Sequence, residues 1–126
     1  MLIREDIKEY YEKQLCVVCG SGINIECCHK NDLYNDNRVL NIETQTLDDF
    51  HSLCVNHKIE KHKITQQTIK TNKRFSARNI PSLKIFNIDF ITGDEIFDKN
   101  NPNALVGTYW YDPVEFLKKI KLTITI

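Results

Sequence analysis

The chain has no apolar run long enough to cross a bilayer. It also lacks a secretion signal. Its first residues, "MLIREDIKEYYEKQ", are charged and follow a helical pattern, without a basic start leading into an apolar stretch. An even set of cysteines is missing as well. Five cysteines without a secretion signal argue against a disulfide framework, and favour reduced thiols or metal ligation in the cytoplasm. There is no net charge, no internal repeat and no low-complexity tract. What is present is an ordinary globular composition in 126 residues, enough for one domain with a modest core that a structural metal would help.

The charge is unevenly spread. From Lys58 to Lys84 there are eight basic residues and one acid, Glu60; from Ile85 to Glu115 there are six acids and one base, Lys99. Such asymmetry suits one polyanion-facing surface, or two solvated faces of opposite sign.

Apolar residues at 3, 7, 11 and 15 predict a short amphipathic helix over 3–14. "INIECCHK" and "DFHSLC" read as strands, and the polar segment 31–49 between them as a loop with an extended piece near Val39–Ile42. From Val55 to about Ile69 the pattern is helical, with Ile59, His62 and Gln66 along one face. Two further strands are expected, near Leu83–Ile91 after a turn at Pro81 and over "ALVGTYWYD". A final helix is signalled by Asp112 as N-cap, Pro113 at the first helical position and Glu115 at the capping-box place, with Phe116, Leu117 and Ile120 as its apolar face.

The strongest local pattern is Cys16-Val-Val-Cys19 and, after 34 intervening residues, Cys54-Val-Asn-His57. Each half can offer two soft ligands from one turn, as a tetrahedral zinc site wants, and Gly20 and Gly22 allow a tight turn after the first pair. Ordinary buried cysteines are the competing reading. Cys27 and Cys28 are further candidate ligands, but alternation along a strand lets at most one of them face a given metal.

A zinc knuckle, a strand ending in histidine, a loop, and "LC-x2" opening a helix make up a layout carried here by Cys16, Cys19, His29, Leu53, Cys54 and the turn at His57. It resembles the HNH, or ββα-metal, nucleases. "HKNDLYNDNRVLNIETQTLDDFHSLC" and "NIPSLKIFNIDF … GTYWYDPVEFL" extend the resemblance, from about Leu15 to Ile120, to the NlaIII-type restriction endonucleases, a group that includes ulcer-associated restriction endonucleases. The resemblance implies an α+β fold: a zinc-stabilised ββα core over about 15–72, with additional C-terminal strands and a terminal helix over about 80–126. It implies cleavage of double-stranded DNA at a palindromic, CATG-like site by a homodimer. It also implies more chain ahead of the knuckle than the fifteen residues present here.

By that resemblance His29 is the general base, and Mg²⁺ or another divalent ion assists. Asp49 falls at the central asparagine position, where it would support the loop. Three positions depart from the pattern. His57 stands where a cysteine is usual, a benign change because zinc accepts imidazole. Cys28 stands where an acid usually holds the catalytic metal, and Lys58 where a histidine or asparagine does; neither is a hard oxygen donor. Three consequences are open: loss of the metal and of activity, replacement of its charge by Lys58, or oxygens from Asp32, Asp36 or Asp49. For phosphate contacts the candidates are Lys61, Lys63, Lys70, Lys73, Arg74 and Arg78; for base readout they are Gln66, Gln67, Asn72, Arg78 and Asn79. The functional readings are therefore an active restriction endonuclease, an inactive zinc-stabilised DNA-binding remnant of one, or a zinc ribbon that mediates protein contacts.

Overall fold

A computed structural model describes residues 2–124, with side chains through Leu122. The elements in chain order are α1 (Glu5–Glu12), β1 (Ile25–His29), α2 (Asn37–Leu40), β2 (Phe50–Cys54), α3 (Val55–Thr71) and α4 (Pro113–Ile124). Single 3-10 turns lie at Leu47–Asp49, Ala77–Asn79 and Lys84–Phe86. The fold is a small α+β domain built on one antiparallel pair, β1 with β2.

The pair's register sets Cys28 opposite His51 and His29 opposite Phe50. Directly opposed residues share a face of the sheet. On one face Cys27 and Phe50 pack with Ile7 of α1, Val39 and Tyr11. On the other, Cys28 and Leu53 pack with Cys16 and Cys54, and α3 lies over this side. β2 is buried along its whole length, so its sequence cannot show the alternation of a half-exposed strand.

The 31–49 segment is not extended near Val39–Ile42. Asp36 accepts from the Arg38 N–H and caps the short helix α2, while Gln45 donates to the carbonyls of Val39 and Leu2. In α3 the face that carries Ile59, His62 and Gln66 is the exposed one: Ile59 is half-exposed, and His62 and Gln66 face solvent. Its buried residues are Lys61, Thr65 and Thr68. These polar side chains tolerate the interior because each finds a carbonyl: Thr65 donates to Lys61, Thr68 to Ile64, and Lys61 to Lys30 and Trp110.

The two C-terminal strands are absent among the described residues; the one pairing outside β1–β2 is an isolated bridge between Lys73 and Ile96. Left-handed residues Asn87, Gly93 and Gly107 interrupt any ladder. The Asp94, Asp98 and Asn101 side chains accept from backbone N–H groups two residues on and so form local turns. Arg74 takes the place of a partner strand, donating to the carbonyls of Thr92, Asp94 and Val106. A Cβ on Gly107 would lie 2.2 Å from the Thr92 hydroxyl oxygen, so the crossing there is built for glycine.

The apolar residues of this region instead pack on α4. Ala77, Leu83, Tyr109, Trp110, Phe116 and Ile120 form the largest cluster. The expected terminal helix is present, and the Asp112 carboxylate accepts from the Glu115 N–H at 3.2 Å.

Candidate metal centre and histidine site

The 16–20 knuckle closes because the Gly20 N–H bonds the Cys16 carbonyl, with Gly20 in the left-handed region at φ 76°. It is pinned to β2 by Val17 N–H on the Ser52 carbonyl and by the Ser52 hydroxyl on the Leu15 carbonyl. Cys54 ends β2 and His57 lies in the first turn of α3, so strand and helix together present the second pair.

The ligand atoms of Cys16, Cys19, Cys54 and His57 all lie within 4.8 Å of one another. Cys19 Sγ to Cys54 Sγ is 3.9 Å; His57 Nδ1 is 3.6 Å from Cys16 Sγ and 3.3 Å from Cys54 Sγ. Tetrahedral zinc with bonds of about 2.3 Å to sulfur and 2.0 Å to nitrogen has edges of about 3.8 Å and 3.5 Å. These three edges match a tetrahedral site, so the quartet could hold a zinc ion. Burial opposes ionisation of the Cys16 thiol, but backbone hydrogen bonds at Cys54, Cys19 and Val18, with His57, outweigh it and bring it down to about 6. Cys27 and Cys28 stand outside the quartet. Burial pushes them up to about 12 and about 11, and the Cys28 thiol donates to the Glu26 carbonyl at 3.7 Å.

His29 ends β1 and is 6 % exposed, its imidazole packed on the rings of Phe50 (centroids 4.7 Å apart) and Tyr34 (4.9 Å). Its Nε2 is buried without a hydrogen-bond partner. Burial lowers its pKa, opposed by the Asp32 charge, so the ring is neutral at physiological pH. Asp32 lies 3.3 Å from His62 Nδ1, with its side chain 11 % exposed. Lys58 is not free; it pairs with Glu26 at 2.9 Å on the surface.

Of the acids weighed as oxygen donors, two are already engaged. Asp49 receives a forked pair from Arg38 and two bonds from Thr46, 2.7 Å to its N–H and 2.9 Å to its hydroxyl. Asp36 caps α2. Asp32, beside His62, is the one left facing the histidine site.

The basic stretch divides. Lys61 is 3 % exposed and reaches inward to two carbonyls, and burial brings its ammonium down to about 8. Arg74, 7 % exposed, is spent on three carbonyls and on the Phe90 ring. Neither is placed to touch a phosphate, which corrects the expectation for both. Lys63 and Lys70 are exposed; Lys73 and Arg78 are exposed beside Glu95 and Asp89.

Sequence reasoning missed His51, buried on the Cys28 face of the sheet, along with the contacts of His62 and Tyr34. His51 is opposite Cys28, fully enclosed, with both ring nitrogens unpartnered. Burial, with the charges of Lys61 and Lys30, holds it well below its ordinary value. His62 had a signal, since it lies one helical turn after Lys58.

The architecture thus defines a small α+β domain braced by a three-cysteine, one-histidine cluster able to hold a metal. The chain belongs to the ICEA Protein family, whose model it matches over residues 1–126. It is also 38% identical over 121 residues to the Type II restriction enzyme NlaIII of Neisseria lactamica, an alignment covering 92% of this chain and 50% of that enzyme. The chain spans about half the length of that relative. No solved structure matches it significantly. No described helix is long and apolar enough to cross a membrane.

Proposed function

We propose that the protein is a type II restriction endonuclease of HNH type that acts in the cytoplasm. It hydrolyses phosphodiester bonds of double-stranded DNA at a short palindromic site, CATG-like by relation to NlaIII, and works as a homodimer. Residues 1–126 act as one HNH domain, with structural zinc on Cys16, Cys19, Cys54 and His57. The observation that carries the reading is His29: a neutral imidazole at the end of β1, with the Asp32–His62 pair beside it, in a chain related to a restriction enzyme.

His29 takes a proton from water. The resulting hydroxide attacks phosphorus as the P–O3′ bond breaks; the leaving 3′ oxygen takes a proton from solvent, giving a 5′ phosphate and a 3′ hydroxyl. Cys28 and Lys58 do not fit a hard divalent ion: one is a protonated buried thiol, the other an ion-paired ammonium. Asp32 and His62 do offer donors, and an ion held there would stabilise charge on the phosphate and the leaving oxygen. Asp49 fixes the loop before β2 through Arg38 and Thr46. Lys63, Lys70, Lys73 and Arg78 contact the DNA backbone without reading sequence.

The state of Cys28 and Lys58 also favours a second reading, an inactive DNA-binding remnant. Unmethylated plasmid incubated with the protein, with and without Mg²⁺, separates the two. Fragments ending at CATG, lost in His29→Ala, support the nuclease. An intact plasmid with a gel shift supports the remnant. Neither cutting nor a shift leaves a zinc-braced protein-contact module.

A further inference from the structure

The mechanism leaves Tyr34 unused, yet its placement is unusual. It follows β1 in the left-handed region, at φ 54°, where an aromatic residue is strained. Its ring meets the His29 imidazole edge-on, 75° between planes, and Phe50 also packs on that imidazole, tilted at 56°. Tyr34 is itself 43% exposed, so it is the solvent-side cover of a histidine that is 6% exposed.

A second set of contacts holds the cover down. Asn31 Nδ2 donates to the Asn35 side chain at 2.8 Å and to the Pro102 carbonyl at 3.2 Å. Asn35 Nδ2 donates to the Lys99 and Asn101 carbonyls at 3.1 and 3.2 Å. Leu33, one residue before Tyr34, packs on Phe97, Ala104 and Leu105. The 31–35 turn is thereby strapped to the 97–105 segment.

A general-base histidine is commonly oriented by a carboxylate or carbonyl on its second nitrogen. His29 Nε2 has neither, so here orientation must come from packing. We propose that Tyr34 is a positioning residue for His29: its ring, aided by Phe50 and held by the Asn31–Asn35 strap, fixes the imidazole's orientation and keeps water from its buried nitrogen. Among the described residues, the charged groups acting on His29 are Asp32, Asp49 and Lys61, from the turn after β1, the turn before β2, and α3. None of them is removed by changing Tyr34, although the Tyr34 hydroxyl also bonds the Asp32 side chain. The catalytic consequence rests on the nuclease reading, while the packing consequence does not.

The test is an NMR titration of His29 in the full chain, run on the wild type, Tyr34→Phe, Tyr34→Asn and Asn35→Ala. Asparagine suits a left-handed backbone, so Tyr34→Asn removes the ring without adding strain. Rehydration favours the charged imidazole, so in Tyr34→Asn the titration midpoint rises by roughly half a unit or more. Tyr34→Phe keeps the ring and loses only the hydroxyl's bond to Asp32, so it moves the midpoint by less, and Asn35→Ala also shifts it upward by less. In cleavage assays the acid limb of the pH profile moves up with the midpoint, and kcat falls about tenfold with KM little changed. A folded Tyr34→Asn with an unmoved midpoint overturns the proposal. Should that variant melt, an unmoved midpoint in Asn35→Ala does the same. If the midpoint moves but no variant cuts DNA, the positioning stands and the nuclease reading falls.

Discussion

Removing metal from the cysteine–histidine quartet should unfold the ββα core. Cys16 and Cys19 hold the knuckle, Cys54 ends β2 and His57 begins α3, so one ion would tie three segments at a single point. The apolar cluster around them is small: Leu53 is its one large buried side chain, joined by Cys16, Cys28 and Cys54 and by partly buried Val17, Val18 and Ile25. Fully burying a leucine stabilises by about 1.5–3 kcal/mol. A structural zinc in a small module stabilises by an apparent ~10–16 kcal/mol at neutral pH. A chain of this length has a total stability of about 6–19 kcal/mol, at 0.05–0.15 kcal/mol per residue. The metal is therefore comparable to the whole margin. Cys19→Ser is the cleanest perturbation, because Cys19 is the exposed member of the quartet and belongs to no apolar cluster. Elemental analysis of protein purified without chelator should find about one zinc per chain. A strong chelator, or Cys19→Ser, should abolish the cooperative thermal transition or lower Tm by more than roughly 15 °C. Less than about half an equivalent of zinc, or a Tm moved by under roughly 2 °C, would refute the reasoning and leave the quartet as a packing cluster.

Lys61 and its neighbours on α3 should separate stability from DNA affinity. Lys61→Met strands the Lys30 and Trp110 carbonyls and costs about 1–3 kcal/mol for each left unsatisfied, read from urea unfolding. Lys63→Ala with Lys70→Ala should leave stability unchanged while flattening the salt dependence of DNA binding by about 0.9 per lost contact. In the plasmid assay, Asp32→Asn or His62→Ala should lower Mg²⁺-dependent cutting by a factor on the order of 10². Cys28→Asp combined with Lys58→Asn should raise it, and no gain would show that those positions do not limit activity. Acid should destabilise the fold through His51 and His29. Both are depressed by burial, so the unfolded chain binds their protons first; stability is lost as pH falls below about 6.5, by about 1.4 kcal/mol per unit for each ring still neutral in the fold. A urea midpoint that stays flat from pH 7 to 5 would contradict this.

Much of the core was legible in the sequence because its signals are local. Paired ligands two residues apart, a glycine in the knuckle, a strand ending in His29 and an Asp-Pro helix start each act within a turn or two of chain. The C-terminal strands failed for the opposite reason. Alternating apolar residues in "SLKIFNIDF" satisfy a strand pattern, but a strand also needs a partner; here Lys84–Phe86 close a 3-10 turn and Asn87 is left-handed, so the segment cannot run extended. Lys61 on α3 was likewise expected at a phosphate, but the carbonyls of Lys30 and Trp110 give its ammonium a buried place to bond.

The sequence by itself determined the ligand quartet, the strand–strand–helix order and the histidine that ends β1, since each depends on spacing that secondary structure converts directly into direction. Tertiary structure alone decided which charges face solvent, which acid is left beside His29, and what covers that imidazole. Those outcomes depend on contacts between residues far apart in the chain: Arg38 with Asp49, Asp32 with His62, and Asn35 with the carbonyls of Lys99 and Asn101. A side chain's chemistry is written in its own position, but whether that chemistry is spent or available is settled by what folds against it.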